Sequence, residues 1–403
     1  MHLDDFIFQA TINVRGFMRA YLANPTKRTI DSYNTRGKMK MIPKRTNHLI
    51  DKELKKAKAA SMIVGVVSKD EMEIESYLHH YYEGYDPENL IVEIGSVTKT
   101  FTGTLLTKLV TENVITLDDS VCPFVPEFKK ALTYNGQEVT FRHLATHTAS
   151  LPKDDVQTIR RQMKENPDLK LNPFSQYDED DFFHFFEHHR PKRAFGKKWA
   201  YSNMGVTLLG HVLAKILNTT YEDAIQEHIL DPLGMNETYF TVPKSKDSRY
   251  VHAVNKTGQV LPQMEINLFN PAGGIKSTVL DMLTYLRYQM NVRETTPELA
   301  KAINLTHERQ HLKAMKGFDS GLTWMIDQPK WAPYPIIHHS GTTIGFHTYC
   351  GFIKELEIAV MVVSTVQINF SRAIKILTRK DGLINTNIAY SIFKKYSKKA
   401  DRA

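Results

Sequence analysis

The stretch Ile91–Leu109, IVEIGSVTKTFTGTLLTKL, runs from a short apolar strand through Gly95 straight into a segment with the apolar spacing of an amphipathic helix. Ser96 is the first residue of that helix. Positions i and i+3 share a helix face, so the Ser96 hydroxyl and the Lys99 amine fall within hydrogen-bond reach in one turn. That places a nucleophile beside a base. A serine at a helix N-terminus also sits among free backbone N–H groups at the positive end of the helix dipole, which favours negative charge developing on a substrate oxygen. The plain alternative is that Ser96 is a helix cap. Ser-x-x-Lys also arises by chance in a lysine-rich chain, and it occurs three times here. Ser150/Lys153 has Pro152 between its members and Ser391/Lys394 lies in a basic C-terminal segment, so only Ser96/Lys99 follows a strand and opens a helix.

The chain has 403 residues and 42% apolar content, enough for one large domain or two ordinary ones with a sizeable core. It has no uncharged apolar run of the roughly 18 residues that a spanning helix needs, which predicts a soluble protein without a transmembrane segment. The net charge of +8 suggests a polyanion partner until it is located. Residues 1–60 carry 13 Lys/Arg against 5 Asp/Glu, and the remaining residues carry 39 of each, so all the excess lies in the head. The rest of the chain has no net positive field for nucleic acid. Cys122 and Cys350 are too few for a disulfide framework and are expected to be free buried thiols. The N-terminus has Asp4 and Asp5 where a secretory leader would be basic, which points to the cytoplasm by default; a mitochondrial presequence meets the same acidic objection.

Along the chain, residues 1–58 read as a basic extension with helices near Asp5–Leu22 and Asn47–Ala60. Residues 59–390 read as the main domain, with a helical subdomain at about 120–250, and 391–403 as a basic tail. Met62–Ser68 and Met72–Tyr82 are strand-like runs around the charged turn Lys69-Asp70-Glu71. Helical signals dominate the middle, and the last hundred residues return to strands at Leu322–Ile326, Ile336–His339, Phe346–Phe352 and Ile358–Val366 before a terminal helix. Strands, helices, strands is the order of an α+β fold: an antiparallel sheet built from both chain ends with helices inserted between them.

Two further pieces carry chemistry. Tyr201-Ser202-Asn203 is the only Tyr-x-Asn in the chain and precedes a helix. A phenol beside a lysine ammonium can have its pKa lowered enough to act as a base, and an Asn amide two residues on can hold a substrate carbonyl. In Ile336–Thr348, IIHHSGTTIGFHT, a strand carries His339-Ser340-Gly341, where glycine permits close backbone approach to a ligand. The pair His338-His339 points to opposite strand faces, which weakens a metal reading.

Taken together, these pieces resemble the serine β-lactamase and penicillin-binding-protein superfamily, and more narrowly its class C β-lactamase-like serine hydrolases, which include DD-peptidases and esterases. The resemblance covers roughly residues 60–390, with FRHLATHTASLP, YSNMGVTLLG, DPLGMNETYF and PAGGIKST as supporting stretches. It implies Ser96 as the acyl-enzyme nucleophile, Lys99 and Tyr201 as its proton handlers and Asn203 as a substrate-amide ligand, with the N–H groups of Ser96 and Thr342 as the oxyanion hole. No cofactor or metal is called for. The substrate would be a small molecule or peptide: a D-amino-acid peptide or an ester, with β-lactams handled weakly.

The chain departs from the family pattern in two places. His339-Ser340-Gly341 stands where β-lactamases have Lys-Thr-Gly, and His147-Thr148-Ala149-Ser150-Leu151-Pro152 lacks the usual glycine. An imidazole with an ordinary pKa near 6.5 is largely neutral at pH 7.5, so carboxylate recognition should lean on the Ser340 hydroxyl and backbone, and His339 should impose any pH dependence between about 6 and 7. One rival from another class is His307-Glu308-Arg309-Gln310-His311, a literal H-E-x-x-H that would make a zinc protease if helical. It lacks a third ligand, with no Glu between Glu308 and Glu355. The other rival keeps the fold and drops turnover, as a penicillin-binding sensor or scaffold.

Overall fold

A computed structural model of the chain describes residues 28–34, 40–57, 60–255, 257–315, 317–366 and 384–400. The helix expected near Asp5–Leu22 lies outside the described residues. The strands begin with β1 (Arg28–Asn34), β2 (Met62–Val67) and β3 (Met72–His79). They continue through the short β4 (Ile91–Glu93), β5 (Thr133–Tyr134), β6 (Gln137–Glu138), β7 (Thr238–Tyr239) and β8 (Lys276–Thr278). The last are β9 (His311–Met315), β10 (Phe318–Ser320), β11 (Met325–Asp327), β12 (Ile336–Thr342), β13 (His347–Ile353) and β14 (Ile358–Ser364).

Nine of them form one sheet in the order β1-β3-β2-β14-β13-β12-β11-β10-β9, and every pairing is antiparallel. The two chain ends meet where β2 pairs β14, with Val64 opposite Val362. This is the arrangement that the strands-helices-strands order predicts. β2 and β14 read as unbroken apolar runs because both faces of the sheet are covered. Ile63, Met361 and Val363 face the helical side, while Val64, Val360 and Val362 face a second apolar layer that contains Ile388, Ile392 and Phe393 of the terminal helix.

That second layer draws on residues from the expected extension and tail as well as from the main domain. The helix Lys44–Lys56, inside the expected extension, packs on the helix Ile384–Ala400, which runs from the expected main domain into the expected tail, and it buries Ile50 and Leu54 completely or nearly so. β1 forms the sheet edge along β3, with Ile30 opposite Tyr77. The buried carboxylate of Glu73 accepts the backbone N–H groups of Met41 and Ile42, and the ammonium of Lys40 lies 3.3 Å from Glu75. Within the helix Lys44–Lys56, exposed charged residues such as Lys44 and Lys52 accompany a face whose Ile50 and Leu54 are core.

The helix expected after Gly95 forms as a 3-10 turn, Gly95–Val97, running into the helix Thr98–Thr111. The expectation of an amphipathic helix is corrected, because this one is buried on nearly every side. Its threonines make that possible by returning their hydroxyls to its own carbonyls: Thr100 to Val97 at 2.8 Å, Thr104 to Thr100 at 2.9 Å and Thr107 to Gly103 at 3.1 Å. The most sequence-distinctive helix is therefore a rigid central post. The middle of the chain supplies the helices Val156–Glu165, Glu179–His188 and Asn203–Leu217, the last of which packs against it. Cys122 and Cys350 are free and buried.

Candidate active site

The site lies where the Gly95–Val97 turn, strand β12 and the start of the helix Asn203–Leu217 converge. Gly95 has φ +53°, and a Cβ there would come within 2.9 Å of the Thr342 backbone nitrogen. Gly341 is tighter still, since a Cβ would lie 2.0 Å from the Ile94 carbonyl oxygen. Both glycines are needed for β12 to press its backbone against the turn that carries Ser96. Thr348 of β13 ties the contact from the other side, its hydroxyl donating to the Ile94 carbonyl at 2.8 Å.

Lys99 is fully buried, and its Nζ donates to the Ser96 Oγ at 3.2 Å and to the Ala272 carbonyl at 2.5 Å. Burial disfavours its ammonium and pulls its pKa down to about 7, partly opposed by Asp154 and slightly aided by Lys153. Lys99 also lies 5.0 Å from the centre of the Tyr201 ring. The Tyr201 phenol hydrogen-bonds Ser96, yet burial pushes its pKa up rather than down, with that hydrogen bond a smaller opposing influence. The expectation of a lysine-lowered phenol is therefore corrected: the same burial that strips charge from Lys99 also penalises a phenolate.

Asn203 opens its helix after the cap Ser202, whose hydroxyl accepts from Gly205 N–H at 2.9 Å and donates to the Pro152 carbonyl at 2.6 Å. Its Nδ2 donates to Asp154 at 2.6 Å, leaving Oδ1 buried without a partner. The group it has free is thus the acceptor rather than the expected N–H. Ser96, Asn203, Ala272 and Thr342 line one cavity of about 60 Å³.

Three of the expected substrate ligands sit differently. His339 is 1% exposed, with Nδ1 2.8 Å from the Ser340 carbonyl, and it does not line that cavity. Burial first, then Lys99 and His147, hold its pKa well below the ordinary imidazole value, so the expected titration between pH 6 and 7 does not belong to it. Ser340, half-buried, alternates onto the opposite strand face, and Gly341 acts as a spacer against Ile94.

Sequence reasoning missed three participants. His147 is buried with φ +58°, accepts the Ser202 N–H at 3.2 Å and lies 4.6 Å ring to ring from Tyr201. Burial takes its pKa to about 3, so it is a neutral wedge that holds the Tyr201 loop. Asp154 and the Ala272 carbonyl are the others. His147 and Ala272 fall in the stretches FRHLATHTASLP and PAGGIKST, which were the available signal.

The H-E-x-x-H match fails on geometry, because the helix Pro297–Thr306 stops before His307 and His311 already belongs to β9. His307 instead meets Gln289 at 2.8 Å between Trp324 and Phe352. Among the described residues, His184, Glu187 and His188 bring ligand-type atoms within 4.8 Å of one another, all exposed.

Comparison with known proteins fits this geometry. Residues 46–382 match the Beta-lactamase family, and the chain belongs to that family as a serine hydrolase of the β-lactamase-related type. A beta-lactamase of Providencia stuartii is 28% identical over 307 residues, 69% of this chain and 74% of that protein. The D-alanyl-D-alanine-carboxypeptidase/endopeptidase AmpH of Escherichia coli K12 is 26% identical over 284 residues, covering 68% of this chain and 71% of its own. Among solved structures, a class C beta-lactamase superposes with TM-score 0.68 at 23% identity, covering 86% of this chain and 94% of that one. The D-alanine carboxypeptidase AmpC of Burkholderia cenocepacia gives 0.66 at 22% identity, covering 86% and 97%.

Proposed function

We propose that the chain hydrolyses short acyl esters or D-amino-acid-containing peptides through an acyl-enzyme on Ser96, and turns over β-lactams weakly. The observation that carries this reading is the buried Lys99 Nζ 3.2 Å from the Ser96 Oγ, with a pKa near 7. Near neutral pH a substantial fraction of Lys99 then carries a lone pair able to accept the serine proton. The Ser96 Oγ attacks the substrate carbonyl carbon, and its proton passes to Lys99. The resulting oxyanion is held by the N–H groups of Ser96 and Thr342. Tyr201, protonated and bonded to Ser96, relays the proton from Lys99 to the leaving group as the scissile bond breaks. Water then attacks the acyl-enzyme by the reverse route. The Asn203 Oδ1, buried and unpartnered, accepts a substrate N–H.

β-Lactams are the weaker substrates in this reading because the strand that would offer a lysine to their carboxylate offers a buried, neutral His339 instead. Treatment with a fluorophosphonate, followed by peptide mass spectrometry, is expected to place the adduct on the peptide containing Ser96. An adduct only on Ser150 or Ser391 overturns the assignment. Steady hydrolysis of p-nitrophenyl butyrate faster than nitrocefin is expected; a single burst without turnover would favour the sensor, and the reverse preference would make the protein a β-lactamase.

A further inference from the structure

Beside the cavity at Ser96 lies a second and much larger depression of about 920 Å³, whose wall is built from residues 150–161 and 184–201. The two spaces abut where Tyr201, lining the large one, meets Asn203, lining the small one, and where Asn203 is bonded to Asp154 at 2.6 Å. The large groove is rich in cations: Lys153, Arg161, Arg190, Lys192 and Arg193 line it against two carboxylates, Asp154 and Asp155.

Those carboxylates are already committed. Asp155 caps Thr158 N–H at 3.3 Å and accepts the Tyr177 hydroxyl at 3.2 Å, and Asp154 accepts from Asn203 with Lys153 4.0 Å away. Arg161 is offset by Asp181 at 3.3 Å. Arg190 donates to the Glu187 and His189 carbonyls, each at 2.7 Å, and has no carboxylate partner among the described residues. Lys192 and Arg193 have no hydrogen-bond or ion-pair partner among the described residues. Lys192 is exposed and Arg193 half-buried, so both are reachable from solvent. Three cations without a carboxylate partner among the described residues thus line the groove that Tyr201 also lines.

We propose that this groove binds the leaving-group side of the substrate and selects leaving groups that carry a carboxylate. The proposal rests on the Ser96 hydrolase reading. Tyr201 separates the reacting serine from the groove, and in that reading it is the group that protonates the departing atom, so the departing portion lies over Tyr201 and extends toward Arg190, Lys192 and Arg193. Guanidinium groups present paired donors that match a carboxylate, and a concave, partly desolvated wall strengthens the attraction over that of an open surface. The cationic recognition that β12 lacks, with buried His339 at its core-facing position, is supplied here from the helical side.

The probes are 3-carboxyphenyl butyrate and its methyl ester, 3-(methoxycarbonyl)phenyl butyrate, which share an acyl group and have similar leaving groups apart from charge. On wild-type protein kcat/KM is expected to favour the anionic ester roughly tenfold at low salt, mostly through KM, and to lose that margin at about 0.5 M NaCl. The double variant Lys192→Glu/Arg193→Glu should hydrolyse the neutral ester like wild type and abolish the preference; Lys192→Arg should retain it. Equal hydrolysis of both esters by wild-type protein overturns the groove and leaves Ser96 standing. A double variant that loses both esters alike also overturns it, since the two residues would then be structural. Hydrolysis of neither ester by wild-type protein overturns both readings.

Discussion

Lys99, from the helix Thr98–Thr111, and His339, from strand β12, both neighbour Tyr201, with the Lys99 Nζ 5.0 Å and the His339 ring 6.3 Å from the centre of its ring. Both are essentially sealed from water, at 0% and 1% exposure. The same burial acts on both, yet the consequences diverge. An ammonium starts near 10.4, and burial brings it to about 7, into the range where a proton can be taken up and given back. An imidazole starts near 6.5, and the same penalty, with Lys99 and His147 adding to it, holds it well below that value. Desolvation therefore tunes the lysine and silences the histidine. The lysine read as a base from its spacing acquires through burial a pKa suited to that role, and the residue that looked like the pH sensor becomes a neutral spacer.

The largest effect that can break this contrast is removal of the lysine. Lys99→Ala is expected to lower kcat/KM for p-nitrophenyl butyrate by about 10² to 10⁴, the usual cost of losing a positioned base. In the wild type the acid limb of the pH profile should belong to Lys99. Below about 7 it is an ammonium without a lone pair, above it the free amine, so kcat/KM should rise with pH through that point. Were Lys99→Ala to keep the rate and the limb, the lysine would be a structural cation and the contrast would collapse.

Tyr201→Phe comes next. It removes the relay hydroxyl, leaves the ring packed against His147, and is expected to cost roughly 10² in kcat with the acid limb still near 7. A variant that retained wild-type kcat would end the relay; one whose acid limb vanished would mean that the phenol, rather than the lysine, is the titrating base.

How much of this was legible in the sequence depends on range. The strand-glycine-helix run at 91–109 was legible because its information is local: Gly95 between strand and helix, Ser96 and Lys99 at helical spacing. The closure of β2 on β14 followed from apolar runs at both ends of the chain. What stayed hidden was set by distant contacts. Neither the Ala272 carbonyl that takes one Lys99 hydrogen bond nor the Asp154 carboxylate that takes the Asn203 amide leaves a periodic trace, since each acts from a turn or loop. Depth of burial was equally silent. The helix Thr98–Thr111 looked amphipathic because its threonines count as polar, and only their bonds to its own backbone show how it can be core. The head looked detachable because net charge does not register depth: Met41, Ile42, Ile50 and Leu54 all belong to the buried apolar layer.

The smallest expected effect is the most discriminating for the contrast, because it tests the silent partner. His339→Gln keeps a polar group of similar reach and removes the imidazole. His339 does not line the Ser96 cavity, and burial holds it neutral, so the variant should leave the acid limb where it is and change kcat/KM by no more than a few-fold. The one change the charge arithmetic allows is slight. Some positive charge density on a protonated His339 would raise the cost of an ammonium on Lys99, but an imidazole already neutral contributes almost none, and its removal therefore has almost nothing to relieve. Measured pH profiles of wild type and variant on the same ester should superpose within about 0.3 pH unit, since a full unit corresponds to about 1.4 kcal/mol of lost interaction with a charge. A limb displaced by a unit or more, or one that disappears, would show that His339 carries a proton during turnover, and that β12 rather than the central helix sets the pH dependence of the site.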